Sequence, residues 1–96
     1  MPTTVTDVPE RSRYTISVDG EPAGFAAYRD RDGVRVFTHT EVADGYEGQG
    51  VGSALARGAL DDVRSRGLAA EPRCPFIRRW IERHPDYADL VFEREA

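Results

Sequence analysis

A glycine-rich segment near the middle of the chain restricts the fold more than any other feature. Residues 46–55 read YEGQGVGSAL, with glycine at positions 48, 50 and 52. Glycine loses more backbone entropy on folding than any other residue, so this density is expected where the backbone turns sharply or approaches another group closely. An alternating segment precedes the loop and a helical stripe follows it, which places the loop between a strand and a helix.

The spacing of the apolar residues predicts a single α/β (α+β) domain over residues 11–96, with the element order βββαβα. The first three strands are expected to form an antiparallel meander, and the fourth to pair in parallel with the third through a right-handed helical crossover. Residues 1–10 are expected to form a flexible tail, and residues 87–92 a short helix or an edge strand. The strands are predicted at 14–18, 23–28, 34–42 and 68–74, and the helices at 51–66 and 75–83.

Charge and composition exclude several classes of function. The formal net charge of −4 argues against non-specific nucleic-acid binding, which needs a basic surface, and mildly favours a cationic small substrate. No stretch approaches the ~18 apolar residues of a membrane span. The single cysteine, Cys74, fits a reducing cytoplasm. Because it has only the distant His39 and His84 as nitrogen partners, no metal site is expected.

The loop can be compared with three known ways of binding phosphate. A P-loop needs lysine after its last glycine, but Gly50 is followed by Val51 and Gly52. The dinucleotide pattern G-x-G-x-x-G needs a third glycine where Ser53 stands. The remaining mode uses backbone amides and the dipole at a helix amino terminus to hold a diphosphate.

The segment VADGYEGQGVG, residues 42–52, resembles the acetyl-CoA-binding segment of the GNAT N-acetyltransferase superfamily. In that segment a strand-ending V-x-P-x-Y precedes an Arg/Gln-x-x-G-x-G/A loop that opens a helix. Val42 and Tyr46 match the strand-end positions, and Gly50 and Gly52 match the two small positions. A small GNAT-like branch of about this length resembles the whole chain, including Cys-Pro-Phe at 74–76 and His-Pro-x-Tyr at 84–87.

Two positions depart from the family pattern. Asp44 replaces the usual proline, and Glu47 takes the place of the arginine or glutamine. A carboxylate beside a diphosphate is unfavourable, so the Glu47 side chain is expected to point away from it.

The resemblance implies that acetyl-CoA binds this loop and that its acetyl group moves to an unidentified primary amine of a protein or small molecule. Polyamines and protein tails both remain open as acceptors. The alternative is a non-catalytic CoA-binding or partner-interaction module, because the chain lacks the amino-terminal helices that cover the acceptor in full-length members. A monomer or a homodimer is expected. The predicted coenzyme-binding residues are Val42, Glu47, Gly48, Gln49, Gly50, Val51, Gly52 and Ser53.

Two residues on the third strand are candidates for the general base. Alternation places Arg35, Phe37, His39 and Glu41 on one face of this strand. Glu41, with His39 and a water molecule, could accept the proton of the amine. A solvated strand face is the competing interpretation.

The tyrosine that acts as general acid in typical family members would fall near Ile81, so another donor is needed. Cys74 has three open roles: a buried packing residue, a nucleophile, or the acid that protonates CoA. Tyr87 could also supply this proton, or could only pack against Trp80. The basic residues Arg78, Arg79 and Arg83 either meet the adenosine phosphates or form a solvated helix face.

Overall fold

The computed structural model describes residues 2–46, 48 and 50–92 as one mixed sheet with helices packed against it. The sheet has five strands in the order β1-β2-β3-β4-β5; its first four strands pair antiparallel, and β4 pairs with β5 in parallel. This confirms the predicted fold class. The strands are β1 Thr3–Val8, β2 Arg13–Val18, β3 Glu21–Arg31, β4 Val34–Val42 and β5 Ala69–Pro72; the helices are α1 Val51–Ser65 and α2 Pro75–Arg83.

Helix α1 buries one face of the sheet because its apolar stripe matches the inward residues of the strands. Tyr14 and Ile16 alternate with half-buried residues along β2 and are each 1% exposed. From α1, Leu55 is completely buried against them in the same core. Gly67 follows the helix with a φ of +70°, a conformation that suits glycine at a helix end.

The prediction of a flexible tail is wrong for residues 3–8. Strand β1 pairs with β2 along its whole length, from Thr3 opposite Val18 to Val8 opposite Arg13. Its inward residues have partners in the core: Val5 packs on α1, and Asp7 accepts a hydrogen bond from Tyr28. The strand is missed because threonine, which suits strands well, gives no apolar alternation to recognise.

The close approach of β1 to α1 depends on Gly58. A Cβ at this position would lie 2.7 Å from Cγ2 and 2.8 Å from Cβ of Val5. Replacing a helix-interior glycine by alanine normally stabilises a protein by about 1 kcal/mol. We expect Gly58→Ala instead to lower the free energy of unfolding by about 1–2 kcal/mol, because overpacking displaces β1.

Urea unfolding of Gly58→Ala, Val5→Ala and the double variant would measure this contact. Val5→Ala should lower the free energy of unfolding less in the Gly58→Ala background than in the wild type, because the shorter side chain relieves the overpacking. A more stable Gly58→Ala single variant would contradict the docking of β1 on α1.

Strand β4 contains a β-bulge at Thr38 that changes which residues share a face. Ala27 of β3 pairs with His39, but the next residue, Tyr28, pairs with Phe37, so Thr38 is an extra residue. The side-chain alternation therefore shifts by one at this point. Beyond the bulge, Thr40 points to the α1 side with Phe37.

The prediction that Arg35, Phe37, His39 and Glu41 lie on one face is therefore wrong. Arg35 and Phe37 are buried on the α1 side, whereas His39 and Glu41 pair with Ala27 and Phe25 on the opposite, open face of the sheet. His39 and Glu41 still share a face with each other.

The segment after α2 combines the two forms that the sequence leaves open. Residues Pro85–Leu90 form a 3-10 helix. Val91 then bridges to Ala70 in parallel, and the amide of Phe92 donates to the Ala70 carbonyl at 2.8 Å. The chain thus extends the sheet beside β5.

Among the helices that the structure describes, none is long and apolar enough to cross a membrane. The same part of the chain brings together no group of three or more His, Cys, Asp or Glu side chains that could hold a metal ion.

Candidate functional site

A groove lies between the amino terminus of α1 and one face of α2. Its volume is about 730 Å³, within the size range of small-molecule sites. The walls come from the end of β4, the glycine loop, the first turn of α1 and α2. The lining residues are Val42, Tyr46, Gly48, Gly50, Val51, Gly52, Ser53, Phe76, Arg79, Trp80, Arg83 and His84. Glu47 and Gln49, also predicted to bind the coenzyme, lie outside the described residues.

The three glycines of the loop serve two different needs. Gly48 and Gly50 both have a φ of +77°, and a Cβ on either would meet no atom of the described residues within 4 Å, apart from its chain neighbours. Glycine is therefore needed at both positions because the backbone adopts a positive φ there. Gly52 has an ordinary φ, but its Cβ would lie 2.7 Å from Cζ of Phe76. Here glycine allows α2 to approach α1, so that both line one groove.

The first amides of α1 are candidate donors to an anion, judged from the part of the chain that the structure describes. Gly50 precedes the helix without a side-chain cap, and the amide of Ala54 makes a bond to the Gly50 carbonyl at 3.0 Å. The amides of residues 51–53 have no acceptor among the residues that the structure describes. These amides and the positive end of the helix dipole face the groove and favour negative charge there.

Helix α2 adds positive charge to this groove from the opposite wall. Arg79 and Arg83, one turn apart, both line it, and neither has a carboxylate partner within the described ranges. Arg78 lies on the other face of α2 and donates from Nε to the Pro72 carbonyl at 3.2 Å. The basic face considered in the sequence is therefore divided: two of its arginines face the groove and one does not.

Trp80 holds the two helices together at the centre of the groove. Its Nε1 donates to Oγ of Ser53 at 2.8 Å, and His84 stacks on its ring with the centroids 3.9 Å apart. The sequence alone does not mark Phe76, Trp80 or His84 as ligand contacts. Their spacing along α2, at positions 76, 80 and 83–84, is the signal that could have found them.

A second, slightly larger cavity of about 760 Å³ lies on the opposite face of α2. Its lining includes Arg78, Ile81, Glu82 and Pro85. Its lining contains no glycine backbone, and the helix start that it does contain is Pro85, which has no amide hydrogen to donate to an anion. The groove at the glycine loop is the better anion site for both reasons.

Strands β4 and β5 separate beside the groove. They pair only from Val34 opposite Ala69 to Phe37 opposite Pro72. The amides of Arg73 and Cys74 then both donate to the Phe37 carbonyl, at 3.1 and 3.0 Å. Beyond this point β4 continues to Val42 while α2 leads the chain away, which leaves an opening between the two strands.

Cys74 lies at this opening, immediately before α2. It is only 4% exposed, and its thiol donates to Oγ1 of Thr40 at 3.3 Å. The bulge at Thr38 produces this contact, because it turns Thr40 towards the α1 side. Burial is compatible with a packing role, and the hydrogen bond gives the thiol proton a defined direction.

His39 and Glu41 lie on the other side of the opening. His39 Nε2 and Glu41 Oε1 are 3.2 Å apart, and the two side chains are 58% and 60% exposed. The ring of His39 also contacts Phe25. The structure therefore brings the two candidate bases together, but on the sheet face opposite Cys74.

Tyr87 does not reach the groove. Its hydroxyl donates to Oδ1 of Asp61 at 2.7 Å and accepts from Nη1 of Arg57 at 3.3 Å. The Asp61 bond, with burial, raises the pKa of Tyr87. Its ring packs edge-on against Trp80, with the ring centroids 5.0 Å apart. These contacts favour the packing role over proton donation. Ile81, where the family tyrosine would fall, is buried in the core.

Comparison with known proteins agrees with this architecture. A family model described as GCN5-related N-acetyl-transferase matches residues 13–90. Protein NATD1 of Gallus gallus is 31% identical over 78 residues, covering 79% of this chain and 71% of that protein. Streptothricin acetyltransferase of Streptomyces lavendulae is 38% identical over 63 residues, which cover 64% of this chain and 33% of that enzyme.

Solved structures show the same fold. An NMR structure of a GCN5-like protein from Staphylococcus aureus matches with a TM-score of 0.71 at 23% identity, covering 96% of this chain and 90% of that one. The crystal structure of Ard1 from Thermoplasma volcanium matches with a TM-score of 0.56 at 22% identity, covering 64% and 43%. The chain belongs to the GCN5-related N-acetyltransferase family, as a small GNAT-like domain.

Proposed function

We propose that this protein is an acetyl-CoA-dependent N-acetyltransferase that acetylates a primary amine. The observation that carries the proposal is the groove itself. It joins uncapped amides at the start of α1 to two arginines of α2 and lies beside the opening between β4 and β5. An anionic donor and an acceptor could therefore meet at one place.

The residues of the groove fit the diphosphate of coenzyme A. The amides of residues 50–53, with that of Gly48, would donate to its oxygens, and the helix dipole would favour its charge. Arg79 and Arg83 would pair with the remaining phosphate charge by charge-assisted hydrogen bonds. The protein can thus attract a polyanion locally although its net charge is −4.

Acetyl-CoA supplies a thioester whose acetyl group can be transferred. On the open face of the sheet, the Glu41 carboxylate, next to His39, would accept the proton of the amine directly or through water. On the other side of the opening, the Cys74 thiol would return a proton to the departing CoA, with Thr40 holding it in place. A strand amide near Val42 would polarise the carbonyl oxygen.

The relatives support the reaction class in general terms. One of them is named for acetyl transfer to streptothricin, and the family model is one of N-acetyltransferases. Isothermal titration calorimetry with CoA, together with an assay of CoA release from acetyl-CoA over a panel of amines, tests the proposal. Tight CoA binding without transfer to any amine would instead favour the non-catalytic CoA-binding module.

The two arginines of the groove should be separable from their neighbour by mutation. We expect Arg79→Gln/Arg83→Gln to weaken CoA binding by ~10–100-fold, because hydrogen bonds to charged groups contribute about 1.5–3 kcal/mol and exposure reduces this contribution. The loss should diminish as salt is raised. Calorimetry at two salt concentrations measures both effects.

Arg78→Gln is the matched control, because Arg78 lies on the opposite face of the same helix. It should bind CoA as the wild type does. Equal weakening by Arg78→Gln and by the double variant would show that general surface charge, not the groove, attracts the coenzyme.

A further inference from the structure

A third concave site lies on the sheet face that α1 leaves uncovered. It is a cavity of about 440 Å³ across β3, β4 and β5. Val36 and Thr38 of β4 line it, together with longer side chains from the neighbouring strands β3 and β5. We call it the arginine pocket, because Arg29, Arg31 and Arg73 all line it.

The charge of this pocket is positive. Arg29 and Arg31 have no carboxylate partner among the residues that the structure describes. Arg73 donates from Nε to Oε2 of Glu71 at 2.6 Å. The other carboxylate of the lining, Asp30, is already held by two hydrogen bonds from Arg35, at 2.7 and 2.8 Å. Two arginines thus remain uncompensated, in a chain that is acidic overall.

The pocket adjoins the place where the acceptor amine would react. Thr38 is the bulge residue, and Arg73 directly precedes Cys74 at the opening between β4 and β5. His39 and Glu41 follow Thr38 on the same open face. At about 3.3 Å per residue, Glu41 lies about 10 Å along the strand from Thr38. A small molecule seated in the pocket could therefore present an amine at the opening, beside the proposed base.

We propose that the arginine pocket binds an anionic group of the acceptor, so that the substrate is a small amine which also carries a carboxylate or a phosphate. This inference rests on the proposed function. Guanidinium groups match carboxylate and phosphate oxygens in paired hydrogen bonds, and they repel a polyamine. The volume suits a small molecule.

The test compares acceptors with and without the anionic group, with each rate expressed per unprotonated amine because the anionic group also raises the pKa of the amine. Free amino acids are paired with their carboxamides, phosphoethanolamine with ethanolamine, and putrescine represents the polyamines. We expect kcat/KM to be ~10–100-fold higher for the anionic member of at least one pair, since a hydrogen bond to a charged group contributes about 1.5–3 kcal/mol. The pair with the larger ratio distinguishes carboxylate from phosphate.

Arg29→Gln/Arg31→Gln should bring this ratio close to one without changing CoA affinity. Arg11→Gln, an exposed arginine outside the pocket, should retain the ratio. Transfer at equal rates to both members of every pair would overturn the inference and leave the proposed function intact.

If CoA binds but no amine is acetylated, the proposed function fails, and calorimetry still decides the inference. Each amine is titrated into the CoA-loaded protein. Binding of an anionic amine that is lost in Arg29→Gln/Arg31→Gln supports the pocket. No binding of any anionic amine overturns it.

Discussion

Gly50→Val is expected to weaken CoA binding by at least ~100-fold. Gly50 lines the groove at the start of α1 and has a φ of +77°, a conformation that side chains other than glycine rarely adopt. Valine is strained in this conformation, so the loop would change its backbone angles and turn its amides away from the groove. Losing two charge-assisted hydrogen bonds at about 1.5–3 kcal/mol each accounts for a change of this size.

The other end of the same helix provides a matched control. The control is Gly67→Val, because Gly67 has a φ of +70° and a Cβ there would likewise meet no atom of the described residues within 4 Å. We expect both variants to lose about 1–3 kcal/mol of stability from the same backbone strain. Only Gly50→Val should lose CoA binding, as measured by calorimetry, with urea unfolding to compare stabilities. Equal binding by the two variants would refute the role of the loop.

The local pattern of the sequence predicts most of the elements and fails where tertiary contacts decide. The alternation of β2 and the stripe of α1 are visible because their buried residues are apolar. Strand β1 is missed because its inward residue Asp7 is polar and obtains its partners, Tyr28 and Arg66, from distant parts of the chain. The bulge at Thr38 is missed because no large apolar residue marks the face of residues 38–41.

The candidate site likewise combines features that the local sequence predicts with features that depend on tertiary contacts. The glycine spacing and the family resemblance point to the loop, since backbone conformation there is a local requirement. The sequence does not reveal which arginines of α2 face the groove, because that depends on how the helix is rotated against α1. Nor does it reveal the partner of Tyr87, since Asp61 lies 26 residues earlier in the chain.

A buried arginine in β4 connects several elements of the fold through its guanidinium group. Arg35 is 5% exposed and makes a two-point contact with Asp30, while its Nη1 donates to the Tyr14 hydroxyl at 2.7 Å. Nη1 also lies 3.5 Å from Asp7 and 3.7 Å from Asp62. The guanidinium thus links β1, β2, β3 and α1.

We expect Arg35→Met to lower the free energy of unfolding by about 3–5 kcal/mol. Methionine would fill much of the space, but it would remove the two-point partner of Asp30 and would leave the neighbouring carboxylates of Asp7 and Asp62 with only the half-exposed Arg66 as a cation among the described residues. Arg31→Met, an exposed position on β3 without a carboxylate partner among the described residues, should change stability by less than ~0.5 kcal/mol. Urea unfolding of both variants at neutral pH measures the difference.

The dependence on pH distinguishes lost charge pairing from poor packing. Burial alone would raise the pKa of Asp62, but hydrogen bonds from Tyr14 and Arg66, together with nearby Arg35, lower it. The stability from this lowered pKa is therefore fully present above the unfolded value of about 3.9 and is lost as the pH falls through the folded value. Without Arg35 that contribution shrinks, so wild type and Arg35→Met should become more alike below pH ~4. A difference that stays constant from pH 7 to pH 3 would mean that Arg35 does not stabilise the protein by lowering the pKa of Asp62.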